Sequence, residues 1–128
     1  MPREQIPEDL RRFILTSIPS VPFLEALLVY REARGEALPP TQVNRRLYIS
    51  ERAAAEVIEQ LVASRFVAPA GDPAVGHRFA PEPGPAAMIE TVAEYYRSHL
   101  VDVTALIHSR TGRMAQQFAD AFKLRKDS

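Results

Sequence analysis

The stretch TQVNRRLYISERAAAEVIEQLVAS, residues 41–64, decides how the chain is read. Thr41 suits the N-cap of a short helix in which Val43 and Leu47 lie four apart, so one narrow stripe faces inward. Gln42, Asn44, Arg45 and Arg46 are left on the outer face. Tyr48-Ile49 reads as a tight turn. Ser50 then caps a second helix with Glu51 behind it, and Ala54, Val57, Ile58, Leu61 and Val62 form its apolar face as far as about Ser64. Two helices joined by so short a turn must cross and share a core.

Upstream, Leu10, Phe13, Ile14 and Ile18 recur at helical spacing behind Glu8 and Asp9, which predicts a short helix from Pro7 to Ile18. Ser20 and Pro22 are suited to open the next helix, and Leu24, Leu27 and Leu28 carry it toward Gly35. Downstream, Phe66-Val67-Ala68 and His77-Arg78-Phe79-Ala80 flank a Gly-Asp-Pro loop and predict a small hairpin. Pro81-Glu82-Pro83-Gly84-Pro85 reads as a stiff polyproline connector that redirects the chain. From Ala86 to about Ser109 there is no proline or glycine, and Ile89, Val92, Tyr96, Leu100, Val103 and Ile107 predict one long helix with an apolar seam. After Gly112, Met114, Phe118, Ala121 and Phe122 repeat as the stripe of a last short amphipathic helix. The expected fold is mainly α with a small β-hairpin.

The chain of 128 residues has the size of one domain, and its 46% hydrophobic and 25% charged composition is that of an ordinary globular protein. Sixteen basic and sixteen acidic residues cancel, so a nucleic-acid site would have to be a local patch. With no cysteine, thiol catalysis, disulfides and thiolate-bound metals are excluded. The longest apolar run near the N-terminus is Phe13-Ile14-Leu15, far short of a signal core or a membrane span, so no membrane association and a cytoplasmic location are expected. The sequence holds no nucleophile elbow, phosphate-cradling glycine loop or His-Glu-x-x-His run. Neither an enzyme nor a cofactor is expected.

The order of helix, short helix, turn, longer helix, strand, loop, strand from Pro22 to about Pro81 resembles the winged-helix DNA-binding domain, most nearly the MarR-like bacterial regulators. The residues that carry the likeness are Leu24 to Leu28, Thr41 to Leu47 with Ser50 to Ala55, and Phe66-Val67 with Arg78-Phe79, about half the chain. The resemblance implies a winged helix-turn-helix unit at 22–84, an N-terminal helical arm at 1–21, and a dimerising region at 85–128. It implies a transcription regulator that binds double-stranded DNA as a homodimer. By position it would place Ser50, Arg52 and Ala55 on the reading surface, Arg45 and Arg46 near phosphates, and His77 and Arg78 on the wing. Ile89, Val92, Tyr96, Leu100, Val103, Ile107, Phe118 and Phe122 would form the dimer interface.

The sequence departs from this pattern where it should be most basic. The reading helix carries Glu51, Glu56 and Glu59 against Arg52 alone. Carboxylates near phosphate repel it. Residues 41–80 hold five arginines and four acids, a balance of plus one, whereas residues 110–128 hold five basic and two acidic groups, plus three. The arginines therefore read either as a phosphate patch or as a solvated face paired with the glutamates. A second reading of the whole follows: a winged-helix scaffold that docks another protein and binds no DNA. His99 with Asp102 and His108 can be imagined as a metal or pH-switch set, but two histidines nearly three turns apart on one helix cannot hold one ion without a second segment, and Glu90 with Glu94 at i, i+4 has no third ligand at a recognisable offset, so no metal is expected.

Overall fold

The computed structural model describes residues 6–72 and 75–109. Helices α1 (Glu8–Ser17), α2 (Val21–Glu32), α3 (Pro40–Leu47) and α4 (Glu51–Ala63) are followed by strands β1 (Val67–Pro69) and β2 (His77–Phe79) and by helix α5 (Pro83–Ser98). A final described helix, α6, runs from Leu100 to Ser109. The fold is thus mainly helical with one small antiparallel sheet. No single described helix is long and apolar enough to cross a membrane.

Helix α2 is the centre. Phe23, Leu24, Ala26, Leu27, Val29 and Tyr30 are all buried, so the helix is apolar around nearly its whole girth and must be covered from several sides. α3, α4 and β2 pack against it. α5 is tied to it by polar bonds: the Tyr96 hydroxyl donates to Glu25 at 2.8 Å, and the Arg31 guanidinium grips both oxygens of Glu90, with Nη2 to Oε1 at 3.1 Å. α1 meets α2 at a bend of 105° and packs on α5. Phe66 joins these layers, its ring 6.1 Å from that of Phe13 and 6.2 Å, edge-on, from that of Phe23.

The caps show which sequence signals acted. Ser20 and Ser50 accept hydrogen bonds from the Phe23 and Ala53 amides, as their positions predict. Thr41 does not cap α3. Pro39 holds that place and Pro40 is the first helical residue, because a proline there gives up an amide that would have no helical partner in any case. The same physics corrects the reading of 81–85 as a connector that excludes helix. α5 begins at Pro83, and both Pro83 and Pro85 fall in its first turn. Tyr48 closes α3 in the left-handed region, φ 56° and ψ 40°, and so turns the chain sharply into α4.

The single long helix expected over 86–109 is broken. His99 leaves helical geometry at φ −130° and ψ 40°, and α6 restarts with the Val103 amide bonded to the His99 carbonyl. The Ser98 hydroxyl engages the Tyr95 carbonyl and the His99 ring, a local side-chain alternative to the helical ladder, and that ring stacks on Tyr95 at 4.0 Å. Beyond the break Val103 and Ile107 lie in the core, where they join Leu10, Phe23 and Ile89 in one cluster. The expected helix after Gly112, with Phe118 and Phe122, lies outside the described residues.

In the sheet, Val67 pairs with Phe79, Ala68 with Arg78 and Pro69 with His77. Leu38 adds a further antiparallel bridge on the free side of β2: its amide donates to the His77 carbonyl at 2.8 Å and the His77 amide returns a bond at 3.1 Å. Gly76 makes that approach feasible. It sits at φ +124°, and a Cβ there would lie 2.3 Å from the Leu38 carbonyl oxygen.

Gly76→Ala is therefore expected to cost more than about 2 kcal/mol in urea unfolding, since both the backbone angle and the contact forbid a methyl group. Tyr30→Phe is expected to leave stability unchanged or to raise it by up to about 1 kcal/mol, because the buried Tyr30 hydroxyl has no hydrogen-bond partner among the described residues. Burial pushes the Tyr30 phenol up to about 12, which favours the neutral form in the fold. The wild type should consequently lose stability as pH rises past 10, and the Tyr30→Phe chain should lose less over the same range.

Candidate functional site

The outer face of α4 carries the most developed surface feature. Glu51, Arg52, Ala55, Glu56, Glu59, Gln60 and Ala63 are exposed, while Ala54, Val57, Ile58 and Leu61 fix the opposite face in the core. Beside this outer face runs an open groove of about 980 Å³, lined by Pro40, Ala55, Ile58, Val62, Ala63 and His77 with Glu56, Glu59 and Gln60. Its apolar lining comes from three elements. The alanines leave α4 shallow, Pro40 starts α3, and the Leu38 bridge holds His77 against them. Glu56 and Glu59 supply negative charge.

His77 brings an imidazole to the lining. Its Nδ1 is buried with no hydrogen-bond partner among the described residues, and loss of solvent lowers its affinity for a proton below the ordinary histidine value. Burial thus favours the neutral ring, which suits it to contact apolar groups or to accept one hydrogen bond from a ligand.

The arginines singled out in the sequence do not converge on this groove. Arg46 hydrogen-bonds Glu32 of α2 at 3.2 Å. Arg52, with its side chain 92% exposed, lies 3.8 Å from Glu56, a loose i,i+4 pair in full solvent. Arg45 and Arg78 are exposed with no carboxylate partner among the described residues. Ser50 is committed to the α4 cap through its hydroxyl. Of the seven residues expected to meet DNA, only Ala55 and His77 share the groove, and they do so in acidic company. Tyr48, at 95% exposure between α3 and α4, is the most exposed large apolar residue, and its left-handed backbone is what projects it. The spacing Leu47-Tyr48-Ile49 signals a turn but not that projection.

The expected intersubunit seam closes within the chain at five of its six described positions. Ile89, Val92, Tyr96, Val103 and Ile107 are buried in the common core, so their apolar surface is already spent inside one molecule. Leu100 is 53% exposed and the adjacent Val101 75% exposed, directly after the break at His99. Tyr96 is held by its core position and by Glu25, and its phenol is pushed up to about 12, first by burial and then by that bond. Glu90 is held below the usual carboxylate range by the Arg31 hydrogen bond, which spends this carboxylate on fastening α5 to α2.

No group of three histidine, aspartate or glutamate side chains among the described residues could hold a metal ion. His99 is engaged with Ser98 and Tyr95 at the helix break. Comparison of the chain with protein-family models, with curated proteins and with solved structures finds no match.

Neutral His77 gives a pH test of the groove. Protonation favours the unfolded chain, where the ring is solvated, so the His77 contribution is present above the ordinary histidine value of 6.5 and is lost as pH falls from there through the lower value of the folded state. Urea midpoints of wild type should drop between pH 7.5 and 5.5, and His77→Gln should flatten that part of the profile.

Proposed function

We propose that this chain is a winged-helix unit used to dock a protein segment. The order α2, α3, α4, β1, β2, with Leu38 bridging to His77 as a rudimentary third strand beside the hairpin, supports the winged-helix reading. One observation carries the functional part: the outer face of α4, which a DNA reader would lay in the major groove, bears three glutamates against one arginine and flanks an apolar groove. The fitting partner is an amphipathic segment with an apolar stripe and basic flanks. Its stripe would bury against Ala55, Val62 and Ala63, and its cations would face Glu56 and Glu59.

A second reading, DNA binding as a dimeric transcription regulator, is favoured by Arg45 and Arg78, whose guanidiniums are free to meet phosphate. It lacks cations on α4 itself. Under that reading affinity would come from the phosphate backbone, with little base selection and a steep dependence on salt.

Fluorescence anisotropy separates the two. A labelled 15-residue peptide with leucines at i, i+4 and i+7 and flanking lysines is expected to bind the full chain, and Glu56→Lys with Glu59→Lys to weaken it at least tenfold. A peptide with glutamate flanks should not bind. A 25-base-pair duplex should show no salt-sensitive binding at low ionic strength. Duplex binding that is lost on Arg45→Glu, together with indifference of the peptide to the groove substitutions, would reverse the assignment.

A further inference from the structure

The groove has a complementary ligand in the chain's own sequence, and we infer that it receives residues 113–126 of a second copy of this protein. The inference rests on the docking reading above and names the partner. Nineteen residues follow Ser109, and they carry five basic groups against two acidic ones. Within them Met114, Phe118, Ala121 and Phe122 recur at helical spacing, with Arg113 on one side and Lys123, Arg125 and Lys126 on the other. The apolar stripe from Met114 to Phe122 spans eight residue steps, about 12 Å if helical, and Ala55 to Ala63 in the groove spans the same number. Rings set over alanines, and ammonium and guanidinium groups set toward Glu56 and Glu59, match in shape and in sign.

The connection favours a second copy over the same chain. Only residues 110–113 separate Ser109 from Met114, and five steps of extended chain reach at most about 17 Å. α6 is anchored on the α2 side, through Thr104 and Glu25, both bonded to the Tyr96 hydroxyl. A segment docking on its own chain would have to find the groove within that reach, whereas a second copy is under no such restriction. Two chains exchanging these segments reciprocally would make a closed, symmetric dimer that needs nothing from the buried seam of α5 and α6.

The chain contains no cysteine, so single engineered thiols report this contact cleanly. Full-length chains carrying Ala63→Cys or Ala121→Cys are mixed under mild oxidation. The mixture is expected to form at least tenfold more disulfide-linked pair than either chain alone, and Glu56→Lys with Glu59→Lys to abolish the excess. Wild type should sediment as a dimer and the Phe118→Asp, Phe122→Asp chain as a monomer. No excess in the mixture, or a doubly substituted chain that closes its disulfide within one molecule, overturns the exchange. In either of those cases the synthetic basic peptide decides what else falls. If it binds the Phe118→Asp, Phe122→Asp chain, the docking reading stands without this partner, and if it does not bind, both are wrong.

Discussion

The constraint on which the rest depends is the girth of α2. Six of its twelve residues are buried apolar or aromatic groups distributed around the helix, so no single neighbour can cover it. Water must be excluded by α3 and α4 on one flank, β2 at one end, and α5 along another. Each neighbour needs only a narrow apolar stripe, because α2 supplies the common centre. That division explains why α3 can be short and largely polar, with Val43 as its one fully buried side chain, and still be fixed in place.

Prolines and one glycine then set where the elements start. Pro22, Pro40 and Pro83 all sit in first turns, where their missing amide costs no helical bond. Gly76 lets the β2 strand come close enough to Leu38 for two backbone hydrogen bonds. That short clamp matters beyond the sheet. It fixes His77 and Pro40 beside α4, and the apolar groove is the space the three leave between them.

Charge is arranged in two ways that differ in purpose. Arg31 with Glu90, and Arg46 with Glu32, each join separate elements, so their pairing stitches α5 and α3 to α2. On the outer face of α4 the glutamates are not consumed by such ties: Glu56 has only a loose partner in Arg52. Exposed ion pairs contribute little to stability, and exposed unpaired carboxylates contribute less. Their concentration beside apolar surface is the feature on which the proposed docking of a basic, amphipathic segment rests.

Much of this was legible in one sequence. The helices around Leu24 and Val57, the serine caps at Ser20 and Ser50, and the hairpin of Val67 with Phe79 are local consequences of periodicity and of hydroxyl-to-amide bonding, which neighbouring residues suffice to determine. Thr41 misled because a preceding Pro-Pro could supply both cap and first turn, and Pro83 because a connector and a helix start look alike until the following helix is packed. The helix break at His99 carries no proline or glycine. It is marked by the local bonds of Ser98 and the stacking of His99 on Tyr95, and Val103 and Ile107 beyond it join the same core as Ile89. The groove belongs to tertiary structure, since Pro40, Ala55 and His77 are remote in the chain and meet only because backbone bonds and the burial of α2 bring them there.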